Sequence, residues 1–148
     1  MADRAFVDTN VLLRAMIPRM NQHTEVEALI QKMWEDDIEL WINRQVIREY
    51  LVQATHPRSF DPELTIEQVM SQIEIILTLF RVADETPEVT RQLLALLKSH
   101  PTRGKQVHDV NLVATMLVYE IDTLLTLNVD DLKRFKDKVE IVSIRDTP

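Results

Sequence analysis

Apolar residues recur at helical spacing from Val26 through Leu29, Ile30, Met33 and Trp34, and again from Ile66 through Val69, Met70, Ile73 and Leu77. Each series marks an amphipathic helix. Start signals accompany both: Thr24 with Glu27, and Thr65 with Gln68, have the spacing of capping boxes, which satisfy the orphaned amide hydrogens of a first turn. Thr86 followed by Pro87 opens a further helix that carries Val89, Leu93, Leu96 and Leu97 and stops before Pro101. Val46, Ile47, Tyr50, Leu51 and Ala54 form the stripe of another, Val11 starts one behind the first apolar run, and Asp109 begins one that ends near Ile121. Between them lie apolar runs too short for helices: Ala5 to Val7, Leu40 to Ile42, Phe80 to Ala83, Leu124 to Leu125 and Val139 to Val142. These read as strands.

Strands that alternate with helices imply a parallel sheet covered on both faces, because a parallel crossover needs a long return. The expected class is α/β, a three-layer sandwich. A chain of 148 residues with 45% hydrophobic content suits a single domain over residues 1–148. No internal repeat or linker interrupts it, and Pro57 to Pro62 reads as a loop too short to separate domains. In open α/β sheets, ligands bind beyond the carboxyl ends of the strands, near the point where strand order reverses. Asp8, Asp84, Asn128, Asp130 and Asp131 all follow strands, and Asp8 follows the run best suited to the centre of the sheet.

Composition narrows the chemistry. The chain has no cysteine, so a metal would rest on oxygen or imidazole ligands. Its one glycine, Gly104, excludes the glycine-rich phosphate cradles of P-loop and dinucleotide folds. A net charge of −7 opposes broad adhesion to nucleic acid, so a polyanionic substrate would need cations supplied locally. Residues 1 to 20 carry no charged leader before a long apolar stretch, and no segment approaches the roughly 20 apolar residues of a membrane span. A cytoplasmic protein without membrane partners is the expectation.

Taken singly, the acids have plain structural readings. Asp8 before Thr9 and Asn10 suits an Asx-type turn and helix cap, and Asp109 suits a first helical turn, where the dipole favours negative charge. Glu49 falls to the flank of its helix's apolar stripe, and Asp130 and Asp131 read as a solvated turn before Leu132. In combination they say more. The blocks "FVDTNVLLR", "VIREYL", "VHDVNLVATML" and "LLTLNVDDLKRF" occur in that order, and over essentially its full length the chain resembles a PIN domain, in particular the short bacterial PIN proteins that act as VapC-type toxins.

The resemblance implies a parallel sheet of four or five strands in the order 3-2-1-4-5, with acids meeting at the crevice to hold Mg²⁺ or Mn²⁺ and cut RNA. Carried over by position, the first acid is Asp8, the second Glu49 and the third Asp109. Asn10 matches the residue that orients the first acid, and Thr126 matches the hydroxyl at a strand end. Where many members have an acid after that hydroxyl this chain has Asn128, and the fourth acid then falls to Asp131. Converging carboxylates repel one another unless a divalent cation neutralises them. Mg²⁺ takes six oxygens and keeps several waters, which leaves room for a phosphate. The products implied are a 5′-phosphate and a 3′-hydroxyl.

Local cations stand near the acids. Arg103, Lys105 and His108 precede Asp109, while Arg14, Arg44 and Arg48 lie near the first two acid blocks, and Arg14, Arg103 and Lys105 are the main phosphate-binding candidates. His108 reads better as a capping or packing residue than as a ligand. Trp34 and Trp41 sit on apolar positions and read as core. The expected function is a metal-dependent endoribonuclease, the toxin of a toxin–antitoxin pair, whose partners are RNA, an antitoxin and a second copy of the chain. The alternative is a catalytically weak PIN scaffold that binds RNA or protein. An acid-pocket phosphotransfer domain fits less well: Asn10 stands where a phosphatase has its second aspartate, and Ser143 to Arg145 supply no receiver lysine although Asp84 could imitate the phosphoacceptor.

Overall fold

The computed structural model describes residues 4–144, so Arg145 lies outside the described residues. Five strands, β1 (Arg4–Val7), β2 (Glu39–Asn43), β3 (Arg81–Ala83), β4 (Thr123–Thr126) and β5 (Glu140–Ser143), form one sheet. Its order is β3-β2-β1-β4-β5, and every neighbouring pair is parallel. The flanking helices are α1 (Thr9–Met16), α2 (His23–Glu35), α3 (Arg44–Thr55), α4 (Ile66–Leu79), α5 (Pro87–Ser99), α6 (Val107–Val118) and the short α7 (Val129–Leu132). Helix α1 packs on α2 and α3, α3 on α4, and α5 on α6. The α/β class and strand order are those expected.

Burial explains why the central strands lack an alternating pattern. Ala5, Phe6 and Val7 of β1 and Leu124 and Leu125 of β4 are fully buried, as befits strands covered on both faces. The edge strand β3 leaves Arg81 exposed. Among the described residues no helix is long and apolar enough to cross a membrane.

Two helix starts follow their sequence signals. Thr65 accepts from the Gln68 amide at 3.1 Å while the Gln68 side chain accepts from the Thr65 amide at 2.8 Å, a complete capping box. Thr86 caps α5, with Pro87 at its first position. The Thr24 box does not form. Helix α2 starts two residues earlier than a Thr24 cap implies, at His23, and its N-cap is Gln22 in the left-handed region (φ 67°) with no side-chain cap bond. His23 instead holds the first turn, with its Nδ1 2.6 Å from the Arg14 carbonyl and its Nε2 3.3 Å from Glu27.

Candidate active site

Strand order reverses between β1 and β4: the chain runs from β1 outward through β2 and β3, then returns to β4 on β1's other side. The crevice at their carboxyl ends is where an α/β sheet offers a ligand site. Val7 registers with Leu125, and the next amide, Asp8 N–H, donates to the Leu125 carbonyl at 3.0 Å. Asp8 thus leaves the sheet still tied to β4. It is the N-cap of α1, and its Oδ1 accepts from the Thr9 amide at 2.8 Å. Its Oδ2 accepts from the Thr126 hydroxyl at 2.9 Å. That hydroxyl also accepts from the Asn128 amide at 2.9 Å, so its single proton is committed to Asp8. Burial raises the Asp8 carboxyl above its ordinary value, the Thr126 and Thr9 bonds oppose the rise, and the Glu49 charge adds to it.

Glu49 comes from the second turn of α3, which Asn43 caps by accepting from the Val46 amide at 2.9 Å. It is half-buried and held at both oxygens. Oε2 accepts from the Thr9 hydroxyl at 2.8 Å, and Oε1 from the Gln45 amide nitrogen at 2.7 Å. One residue, Thr9, therefore ties the first acid through its backbone and the second through its side chain. Thr9 is only 2% exposed.

Asp109 is the third residue of α6 and Asp131 the third of α7, and both are half-buried. They line an open cleft of about 510 Å³ with Glu49, Lys105, Gln106 and His108. Burial pushes the Asp109 carboxyl up to about 6, and the charges of Asp8, Asp131 and Glu49 push the same way against the pull of Arg134. Acids from four separate segments thus share one electrostatic neighbourhood. Among the described residues, no three His, Cys, Asp or Glu side chains are arranged so that they could hold a metal ion as they stand.

The supporting residues are distributed unevenly. Thr126 is fully buried against Asp8, and Asn128 contributes its backbone amide to Thr126. Asn10 is exposed and gives its carbonyl to the Arg14 guanidinium at 2.9 Å, so the bonds that orient Asp8 come from Thr9 and Thr126 instead. Asp130 is exposed and pairs with Lys133 at 3.7 Å. Of the expected phosphate-binding residues, Lys105 lines the cleft, Arg103 is exposed two residues before it, and Arg14 lies on α1 a turn beyond Asn10. Arg44 and Arg48 are directed elsewhere, to Asp84 at 2.8 Å and Glu85 at 3.7 Å. That first pair also occupies Asp84. His108 is exposed on the cleft wall and packs into no core, and the cap of α6 is Gln106. Trp34 and Trp41 pack against the core, 6.2 Å from Phe80 and 5.6 Å from Tyr119 between ring centroids.

Sequence reasoning passed over Thr9, Gln45 and Arg134. A signal existed for each. Thr9 precedes Leu12 and Leu13 at helical spacing and so lies on a buried face, where a hydroxyl needs a partner. Gln45 lies one turn before Glu49, and Arg134 three residues after Asp131.

Solved structures similar to this chain share its fold. VapBC2 from Rickettsia felis, bound to a DNA fragment from its promoter, is 16% identical with a TM-score of 0.69, covering 95% of this chain and 98% of its own. VapBC-1 from nontypeable Haemophilus influenzae is 17% identical with a TM-score of 0.69, over 97% and 99% of the two chains. VapC20 of Mycobacterium tuberculosis, a toxin that cleaves the sarcin-ricin loop, is 16% identical with a TM-score of 0.64, over 88% and 94%. Among curated protein sequences nothing matches. The family model for the PIN domain matches residues 5–138, and with it the chain belongs to the PIN domain family.

Proposed function

We propose that this chain, acting as one domain, is a divalent-cation-dependent endoribonuclease of the PIN type and the toxin of a toxin–antitoxin pair in the cytoplasm. One observation carries the reading: Glu49, Asp109 and Asp131, from α3, α6 and α7, line one cleft, and burial, with the added charges of Asp8, Asp131 and Glu49, raises Asp109 to about 6. Gathering like charges in a half-buried place raises the cost of ionising each of them, and arrangements of this kind cluster at functional sites.

The donor set fits a hard cation. All four side chains offer carboxylate oxygens and none offers sulfur or imidazole, which suits Mg²⁺ or Mn²⁺. Asp8, Glu49, Asp109 and Asp131 would hold it. When bound, such an ion neutralises charge on a phosphodiester and lowers the pKa of a bound water, which is the chemistry hydrolysis to a 5′-phosphate and a 3′-hydroxyl requires. The chain's own residues do the positioning. Thr126 and the Thr9 amide fix Asp8, while the Thr9 hydroxyl and Gln45 fix Glu49. Lys105, Arg103 and Arg14 meet the substrate's phosphates.

An antitoxin and a second copy of this chain are the partners proposed. Support comes from the fold shared with VapBC2 and VapBC-1, and from exposed apolar side chains on α4, Ile66, Met70 and Leu77, that a partner would cover. The second reading, a catalytically weak scaffold that binds RNA or protein, is favoured by Asn128 in place of an acid and by the −7 charge.

Cleavage separates the two. Purified protein with Mn²⁺ should cut a labelled single-stranded RNA, excess chelator should stop it, and Asp8→Asn and Asp109→Asn should each abolish it. Undiminished cleavage by Asp8→Asn would contradict the assignment. RNA retention without cutting in either Mg²⁺ or Mn²⁺ would favour the scaffold.

A further inference from the structure

Arg134 has a role that neither the acid set nor the expected phosphate ligands account for. It lies three residues after Asp131, where α7 passes into the 3-10 turn Lys133–Phe135, so the two side chains leave neighbouring positions on one face of that segment. Its guanidinium carbon stands 4.9 Å from the centroid of the Phe135 ring. Phe135 is itself fully buried, and its ring packs on His100 with centroids 4.9 Å apart. The cation therefore rests on a fixed aromatic platform.

Among the described residues, Arg134 Nε is buried without a hydrogen-bond acceptor. Among the described residues Arg134 enters none of the ion pairs, while its neighbour Lys133 pairs with Asp130 at 3.7 Å. Yet its positive charge reaches Asp109. A half-buried guanidinium beside several acids has every electrostatic reason to pair with one, and a buried Nε–H left without an acceptor is costly. An arginine held by a ring instead of a carboxylate keeps its planar fork for another anion. The fork's geometry matches the non-bridging oxygens of a phosphate.

We propose that Arg134 is a substrate-binding residue of the cleft that grips a phosphodiester group of RNA at or next to the bond being cut. This inference rests on the nuclease reading. It places a built-in cation on the Asp131 side of a site whose acids would otherwise repel the substrate, and it complements Lys105, which precedes Asp109.

The test compares wild type, Arg134→Gln and Arg134→Lys on one labelled single-stranded RNA in Mn²⁺, with kcat/KM measured across a series of KCl concentrations. Melting curves and circular dichroism would be recorded for each protein. Loss of the guanidinium should lower kcat/KM on the order of 10- to 100-fold. The slope of log kcat/KM against log salt should become shallower by about 0.7, the contribution of one single-strand phosphate contact. Arg134→Lys should recover the slope and only some of the rate, because it restores the charge without the fork. An Arg134→Gln protein that keeps the wild-type slope, slowed or not, overturns the proposal and leaves a structural role. If that variant fails to fold, Arg134→Lys decides: a wild-type rate means the fork is unused. A wild type that cuts no RNA removes the nuclease reading and this inference together, whereas a cutting wild type with an unchanged Arg134→Gln slope removes this inference alone.

Discussion

Replacing Asp109 with asparagine should make the cation-free protein more stable at pH 8, with only a minor part of that gain left near pH 4.5. The Asp109 carboxyl stands at about 6 against an ordinary 3.8, raised by burial first and then by Asp8, Asp131 and Glu49. The folded state therefore holds this proton more tightly than the unfolded chain does. Between roughly pH 4 and 6 the folded protein is the more protonated of the two, so stability falls as pH rises through that window and is flat above it. Slightly more than two pH units at 1.36 kcal/mol each sets a ceiling of about 3 kcal/mol, which solvent screening of a half-buried group trims to about 1–2 kcal/mol. The favourable helix dipole at the start of α6 is smaller, about 0.3–1 kcal/mol, and is outweighed. Asparagine keeps the shape and cannot ionise, so the variant avoids the loss.

At about 2–4 °C per kcal/mol for a chain of this length, the gain at pH 8 should be roughly 2 to 8 °C in melting temperature with chelator present. Adding Mn²⁺ should reverse the order. Wild type gains stability by mass action from an ion that binds only the folded state, and the variant, short of one ligand, gains less. Thermal scans at the two pH values, each with chelator and with Mn²⁺, make the measurement. A variant that melts below wild type at pH 8 in chelator, or by the same margin at both pH values, would refute the account of Asp109 as a carboxylate kept under electrostatic pressure.

Thr126→Val keeps the side-chain volume but removes the donor to Asp8 and the acceptor for the Asn128 amide, and should cost about 1–3 kcal/mol in urea unfolding. An unchanged midpoint would mean the hydroxyl bonds are exchanged for water at no loss. Thr9→Val should weaken Mn²⁺ binding by calorimetry about 10-fold by releasing Glu49, and Thr9→Ser should restore it; equal affinities in all three proteins would show that Glu49 needs no such hold. Asn128→Asp should strengthen Mn²⁺ binding or speed RNA cleavage if that position is a weakened ligand site. No change in either would assign the fourth acid's work to Asp131.

The architecture was legible because it follows from local pattern. Short apolar runs between amphipathic stripes can be joined in few ways, and the five strands fall within a residue or two of where those runs lie. Helix starts were legible where a polar cap stands outside the apolar repeat, as at Thr65 and Thr86. At Thr24 the signal misled, since the helix begins two residues earlier, at His23, which takes the polar contacts of the first turn itself. Glu49 shows the larger limit. Periodicity compares a residue with its own helix's buried stripe, and by that measure Glu49 belongs on the flank. Gln45, one turn earlier in α3, holds one of its oxygens, but the other is held by a threonine 40 residues earlier on another helix, a contact that no spacing within α3 encodes. The same holds for Arg44 and Arg48, whose nearness to Glu49 in the chain suggested substrate while the fold turns them toward the acids that follow β3.

The hydrogen bonds divide the acids into two kinds, and the division bears on how the site would take up a cation. Asp8 and Glu49 each have both oxygens engaged by donors from Thr9, Thr126 or Gln45, so their positions are set by the fold itself. Asp109 and Asp131 have no hydrogen bond or close ion pair of this kind among the described residues, and they sit at the first turns of helices with only their neighbours' charge upon them. Burial comes first in raising Asp109 to about 6, and the charges of Asp8, Asp131 and Glu49 add to it. If Asp8, Glu49, Asp109 and Asp131 hold a cation as proposed, its affinity would depend on the hydrogen bonds that fix the first two acids as well as on the charge of the last two. That makes Thr9, which need touch neither substrate nor cation, as consequential for the site as the carboxylates themselves.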